Sequence, residues 1–262
     1  MNKIMANLYG NRFGQNMLES IVRKCHRYMG IGTGDDVYFS GEKYVIERLK
    51  YLDTAPFMIF DVGSGCGQYL DVVLSVMEQK NFYVHCFEPS KRLFSSLEER
   101  AGNDCRVIVN NLGLGKKTSQ MELFYDSEDA GGYLTKRRLD HIGITNWQSE
   151  TVSITTVDEY CNENKIYFIH LLKADIEGQE MDLFEGASQM FRKKAIKIVT
   201  FEFGGCNIDT KTYFQDYFYF FRGMKMDLYR ITPSGYLYPL SDYREIDEQF
   251  RTTNFAAVDN NI

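Results

Sequence analysis

Short uninterrupted apolar runs alternate along this chain with longer stretches whose apolar residues recur every three or four positions. Residues 57–60 (Phe-Met-Ile-Phe), 82–87, 106–109, 166–173 and 195–203 are of the first kind, the pattern of strands buried on both faces of a parallel sheet. Residues 68–77 carry Leu70, Val73, Leu74 and Met77 at helical spacing, and residues 181–191 repeat this with Met181, Phe184, Ala187 and Phe191. Helices are also predicted over 90–99 and from Val157 onward. The order strand, helix, strand predicts an α/β sheet built from right-handed βαβ units.

The flanks are less regular. Apolar residues Leu18, Ile21, Val22 and Cys25 predict a helix from Met17, broken by the glycines of 30–34. Ser40 then reads as the N-cap of a second helix reaching Leu52. Residues 1–55 are thus expected to form a helical cap packed on a main domain of residues 56–262. Strands are predicted at 121–125 and 151–155. The polar stretch 126–150 between them, with the single tryptophan Trp147, reads as an insertion without structure of its own, functional or mobile. Residues 213–221 are aromatic at helical spacing, which favours core packing over a cofactor box, and 226–231 and 254–258 supply two terminal strands.

The first strand ends at Asp61, and Gly63, Ser64, Gly65, Cys66 and Gly67 follow at once. Glycines there let the backbone take positive φ and approach a ligand closely, with a helix N-terminus behind them. Glu88 ends the second strand, about twenty residues on, where an acid can accept bonds from both hydroxyls of a ribose. A nucleoside-bearing cofactor is implied. The spacing Asp-x-Gly-x-Gly-x-Gly matches the turn associated with S-adenosylmethionine. A nicotinamide dinucleotide is the second choice, because GxGxxG is missing. A glycine turn without a ligand is the third.

Composition narrows the classes. At 262 residues and 44% hydrophobic, the chain is long enough for one sizeable α/β domain with an extension. Its net charge of −6 argues against a nucleic acid held through phosphates. The basic runs Lys136-Arg137-Arg138 and Arg192-Lys193-Lys194 read as solvated faces. Six scattered cysteines without a CxxC pair support neither a disulfide framework nor a zinc site, and Cys86 falls in a predicted buried strand. No apolar h-region opens the sequence and no run is long enough to span a membrane, so a soluble, cytoplasmic protein is expected.

The predicted strands end on Asp61, Glu88, Asn111, Asp175 with Glu177, and Glu202, which converge on the edge where parallel sheets bind ligands. The runs DVGSGCGQYL, FEPS, Asn111-Leu112-Gly113-Leu114-Gly115, LKADIEGQEMDLFEGA and FEFG resemble the FkbM family of S-adenosylmethionine-dependent methyltransferases. Ser40-Gly41-Glu42 upstream and the closing segment from Tyr229 to Phe255 are similar to it as well. Lys173-x-Asp175-x-Glu177-Gly178-x-Glu180 is the most specific part; Cys66 departs from the larger aliphatic residue the family often has.

The resemblance implies a Rossmann-like class I methyltransferase fold, with a seven-stranded mixed sheet and helices on both faces, after an N-terminal helical extension. It implies S-adenosylmethionine as cofactor and O-methylation of a hydroxyl, often on a sugar, glycan or secondary metabolite. Carried over, Asp61, Gly63, Ser64, Gly65 and Gly67 hold the methionine part, Glu88 the ribose and Asn111 the adenine neighbourhood, while Asp175 and Glu177 face the transferred methyl.

Asp175 and Glu177 are the candidate bases for the acceptor hydroxyl, since two neighbouring carboxylates raise one pKa toward a useful range. His141 is an outsider, and His170 is expected to be a satisfied core residue. Magnesium on Asp175, Glu177 and Glu202 is conceivable, but carboxylates without metal are preferred. The rival classes are a nicotinamide-dependent oxidoreductase and a non-catalytic module that binds the cofactor. The acceptor's identity and the oligomeric state, including a homo-oligomer, stay open.

Overall fold

The computed structural model describes residues 8–52, 55–126, 132–133 and 147–260. Among the described residues, helices α1 (Arg12–Met29) and α2 (Glu42–Leu49) precede the sheet. Then β1 (Phe57–Val62), α3 (Gln68–Val76), β2 (Phe82–Phe87), α4 (Lys91–Ala101) and β3 (Val107–Asn110) alternate. Four strands follow: β4 (Gly113–Leu114), β5 (Ser119–Asp126), β6 (Gly132–Tyr133) and β7 (Trp147–Thr155). Next come α5 (Val157–Glu163), β8 (Ile169–Ala174), α6 (Glu180–Gly186), α7 (Ser188–Arg192) and β9 (Ile196–Phe203). The chain closes with α8 (Cys206–Thr210), α9 (Phe214–Gly223), β10 (Met226–Ile231), β11 (Leu237–Pro239) and β12 (Thr253–Asp259).

Eight strands form one sheet in the order β11-β10-β12-β9-β8-β1-β2-β3. β3, β2, β1, β8 and β9 run parallel, and β12, β10 and β11 are added antiparallel. The expected seven strands are present. β11 is an eighth at the edge, returned onto β10 by the turn in which Gly235 donates its N–H to the Thr232 carbonyl. Chain order reverses between β1 and β8, and the crevice at the carboxyl ends of those strands is the place where such sheets hold ligands.

Strand periodicity explains why the parallel strands read as unbroken apolar runs. Phe60, Leu172 and Val199 point into one layer, with Phe184, Tyr217 and Phe221 of the helices that cover it. Their neighbours Ile59, Leu171 and Ile198 point into the other, with Val45 and Ile46 of α2 and Leu70 and Val73 of α3. The aromatic face of α9 is core, as expected. His170 is buried in β8, its Nδ1 accepting from the Met58 amide at 2.9 Å.

Several boundaries differ from the sequence reading. α1 starts at Arg12, because Asn11 caps it through Oδ1 accepting from the Gly14 amide. Of its residues Gly14 alone is buried, so its apolar side does not pack on the sheet. The cap of α2 is Gly41, not Ser40, and the helix stops at Leu49. Residues 181–191 divide at Ala187 into two short helices. The ladder of β5 and β7 runs from Ser119↔Ile154 to Asp126↔Trp147, so pairing extends into the polar stretch, and with β4 and β6 it makes a second, four-stranded sheet. His141 and Lys136-Arg137-Arg138 lie outside the described residues.

Candidate functional site

β1 must turn into α3 directly against the end of β8. Gly63 sits there at φ +83°, and a Cβ on it would come within 1.8 Å of the Asp175 carbonyl oxygen. Only glycine fits both that conformation and that approach. The amides of Gly63 and Ser64 donate to the Phe87 carbonyl, each at 3.1 Å. Gly65 N–H donates to Glu88 Oε2 at 2.9 Å, and Ser90 N–H to Glu88 Oε1 at 2.8 Å. Asn111 Nδ2 donates to the carbonyls of Glu88 and Pro89, both at 3.0 Å. The glycine turn is thereby tied to the ends of β2 and β3.

Two cavities open at this edge. One, of about 480 Å³, is bounded by Gly63, Gly65, Glu88, Leu93, Asp175 and Ile176 among others. The second, of about 380 Å³, is bounded by Glu42, Tyr69, Lys173, Asp175, Glu177 and Glu202 among others. Both are bordered by Gly63, Gly65, Gln68, Asp175 and Glu177. Of the residues expected from sequence, Gly63, Gly65, Glu88, Asp175 and Glu177 meet at the larger cavity, and Ser64 lines the smaller. Asp61, Gly67 and Asn111 line neither. Asp61 is fully buried behind the turn, Gly67 is the N-cap of α3, and Asn111 braces the turn after β2.

Lys173 is the cation at the centre. Its Nζ lies 3.4 Å from Asp61 Oδ1 and 3.2 Å from Asp175 Oδ2, and 4.9 Å from the centre of the Tyr69 ring. Burial works against its charge, but Asp175, Asp61 and Glu42 outweigh it and hold the ammonium well above the usual lysine value. Burial also raises the Asp61 carboxyl, against the pull of Lys173. Burial pushes Glu42 up to about 7, with Lys173 opposing, and Ser40 Oγ donates to Glu42 Oε2 at 3.0 Å. Glu88 is likewise pushed by burial up to about 7, against the amide bonds from Ser90 and Gly65. Burial, then the charges of Asp175, Glu177, Glu180 and Glu42, raise Glu202 well above the carboxylate range. Glu177 adopts φ +56° and accepts from Cys206 Sγ at 2.7 Å.

The sequence reading assigned no role to Glu42, Tyr69 or Lys173. The available signal was a buried acid at the first position of α2, inside Ser40-Gly41-Glu42, and the lysine opening the Lys-x-Asp-x-Glu run. Among the described residues no group of three His, Cys, Asp or Glu side chains is arranged to hold a metal ion, so Asp175, Glu177 and Glu202 do not form one.

A parallel sheet reversing at β1 and β8, an antiparallel β12 inserted between β9 and β10, a glycine turn and an acid ending β2 define the Rossmann-like methyltransferase fold. Residues 61–228 match the family described as the Methyltransferase FkbM domain, and the chain belongs to that family. No curated protein matches the chain. Among solved structures, a methyltransferase FkbM from Methylobacillus flagellatus KT aligns with 16% identity and a TM-score of 0.48, covering 91% of this chain and 60% of that one. The present chain therefore spans 60% of the length of that relative. A protein described as an rRNA methylase from Clostridium thermocellum aligns with 10% identity and a TM-score of 0.46, covering 83% and 94%. The human methyltransferase 10 domain containing protein gives 10% identity and 0.43, covering 84% and 81%.

Proposed function

We propose that this protein is an S-adenosylmethionine-dependent O-methyltransferase, acting in the cytoplasm on a hydroxyl of a sugar, glycan or secondary metabolite. The observation that carries the cofactor is the pairing of the glycine turn with Glu88 across the larger cavity. The residues present fit the compound. Glu88 offers a carboxylate to ribose hydroxyls, and Leu93, Leu123 and Ile176 give apolar walls for a purine. In the smaller cavity Lys173 can meet a carboxylate and Glu42 an ammonium, as a zwitterionic tail requires. The Tyr69 hydroxyl, at the wall of that cavity, has no hydrogen-bond partner among the described residues.

The earlier assignments carry over with their roles divided. Gly63, Ser64 and Gly65 border the methionine part directly, while Asp61 acts by fixing Lys173 and Gly67 by starting α3. Asn111 steadies the adenine side through the carbonyls it holds. Within the segment up to residue 55, α2 serves as the cap on the sheet and contributes Glu42. When bound, S-adenosylmethionine supplies a methyl group on a positively charged sulfur. Asp175 and Glu177, which border both cavities, take the proton of the acceptor hydroxyl and orient it.

The wall chemistry bears on the acceptor. Glu42, Asp175, Glu177 and Glu202 face the smaller cavity with Lys173 among them, already engaged by two carboxylates. A wall rich in carboxyl groups that pair with hydroxyls favours a neutral hydroxyl compound over nucleic acid, which the net charge of −6 also disfavours. Membership of a methyltransferase family leaves the nicotinamide alternative without support. The test is calorimetry with S-adenosylmethionine and its demethylated product, followed by labelled-methyl transfer to free sugars, nucleotide sugars, glycans and RNA. Binding followed by label on a sugar oxygen supports the reading. Label on RNA, or no cofactor binding, overturns it.

A further inference from the structure

α1 is tied to the sheet, among the described residues, at its C-terminal end. Among the described residues, the bonds tying it to the sheet lie in its last turn, where Arg230 Nε donates to the Met29 carbonyl at 2.9 Å and Arg251 Nη1 meets His26 Nδ1 at 3.0 Å. The bridge Ile31↔Thr253 follows directly. Residues 8–11 fold over Gly14 in the first turn, and no other described residue covers the turns before the last. At 100° per residue, Phe13, Met17, Leu18, Ile21, Val22 and Tyr28 fall on one half of the helix. All are exposed, Phe13 at 78%, Ile21 at 50%, Val22 at 48% and Tyr28 at 85%. Arg12, Arg23 and Arg27 occupy the opposite half, and Lys24 lies between Phe13 and Met17 near one edge of the apolar half, against the single acid Glu19. A cationic helix thus projects from a chain of net charge −6.

We propose that α1 is a membrane-surface helix that seats this protein on an anionic lipid bilayer. An apolar half beside an arginine- and lysine-rich half, with low overall hydrophobicity, is the design of helices that lie in the headgroup plane. No described helix is long and apolar enough to cross a membrane, so α1 lies on the bilayer. Charge complementarity selects the occupant. Anionic headgroups attract juxtaposed Lys and Arg, whereas pairing of two α1 helices through their apolar halves would leave these cations without a partner across the interface. Residues 30–41, which join α1 to α2, contribute Gly34, Asp35 and Val37 to the wall of the smaller cavity. Seating α1 therefore brings that wall close to the lipid surface.

The experiment is co-sedimentation of the full chain with phosphatidylglycerol vesicles and with phosphatidylcholine vesicles, at low and high salt. The protein is expected to pellet with the anionic vesicles, less at high salt, and far less with the neutral ones. Ile21→Asp should abolish this. Replacing Arg23, Lys24 and Arg27 together by Ser should weaken partitioning by about a hundredfold, from the attraction of each cation to an anionic surface. Both variants alter exposed side chains and should bind S-adenosylmethionine or its demethylated product as the parent does, or melt at the parent's temperature if neither binds. The proposal is overturned if the parent ignores anionic vesicles or binds both kinds equally. It is also overturned if sedimentation velocity finds a dimer that Ile21→Asp converts to monomer.

Discussion

The amide of Gly65 donates to the carboxylate of Glu88 at 2.9 Å, locking the turn that leaves β1 to the acid that ends β2. The two parts of the cofactor signature, twenty-three positions apart, are thus one hydrogen-bonded unit. Glu88→Ala removes both that bond and the one from Ser90. It also removes the carboxylate offered to the ribose, and one bond to such an acceptor contributes about 1.5–3 kcal/mol, so cofactor affinity should fall by roughly 10- to 100-fold in calorimetry. Unchanged affinity would remove Glu88 from the cofactor site.

Glu177→Gln keeps the volume of the side chain but removes its capacity as a base. Turnover is expected to drop about 10²- to 10⁴-fold, with the cofactor dissociation constant within a few-fold of the parent. A loss confined to cofactor binding would reassign Glu177. Adding a chelator to the parent protein should leave its rate unchanged.

Lys173 compensates carboxylates that burial already strains. Lys173→Met leaves Asp61 buried without its counter-charge, which should cost about 3–5 kcal/mol of stability by denaturant titration. Combining it with Asp61→Asn should recover a large part of that loss. Independent, additive effects would show that the pair at 3.4 Å is not energetically coupled.

The pH dependence has a defined sign. Glu42 is raised from 4.5 to about 7 in the folded protein, so folding favours its protonated form. Its contribution to stability is complete below about pH 4.5 and is lost as pH rises through about 7, up to about 3 kcal/mol. Glu42→Gln should therefore flatten the fall in Tm between pH 5 and pH 8. A parallel pair of curves would show that Glu42 titrates normally.

Gly63→Ala tests the approach of β1 to β8. The new Cβ meets the Asp175 carbonyl at 1.8 Å, on a backbone with φ +83°. The conformation alone costs about 1–2 kcal/mol and the clash adds to it. Tm should fall and cofactor binding should be lost even at temperatures where the variant is folded.

Much of this was legible in the chain. β2 spans Phe82–Phe87 as predicted, and α3 begins at Gln68 where the glycines stop. Apolar runs and helical spacing are local signals, set by whether one face or both are buried. The β5 and β7 ladder was partly hidden, because Gln148, Ser149 and Glu150 alternate no apolar face and only Leu123, Val152 and Ile154 form its small core. The break at Ala187 left no mark in an otherwise continuous helical pattern.

By itself the sequence determined the order of strands and helices, the glycine turn, and which acids end strands. Those follow from short-range sterics and from the period at which apolar side chains must recur. Only the tertiary structure decided which of these groups meet. It put Asp61 behind the turn against Lys173, brought Glu42 from α2 into the smaller cavity, and left Phe13, Ile21 and Val22 of α1 exposed. Proximity between residues so far apart along the chain depends on sheet order and helix docking, which no local period encodes.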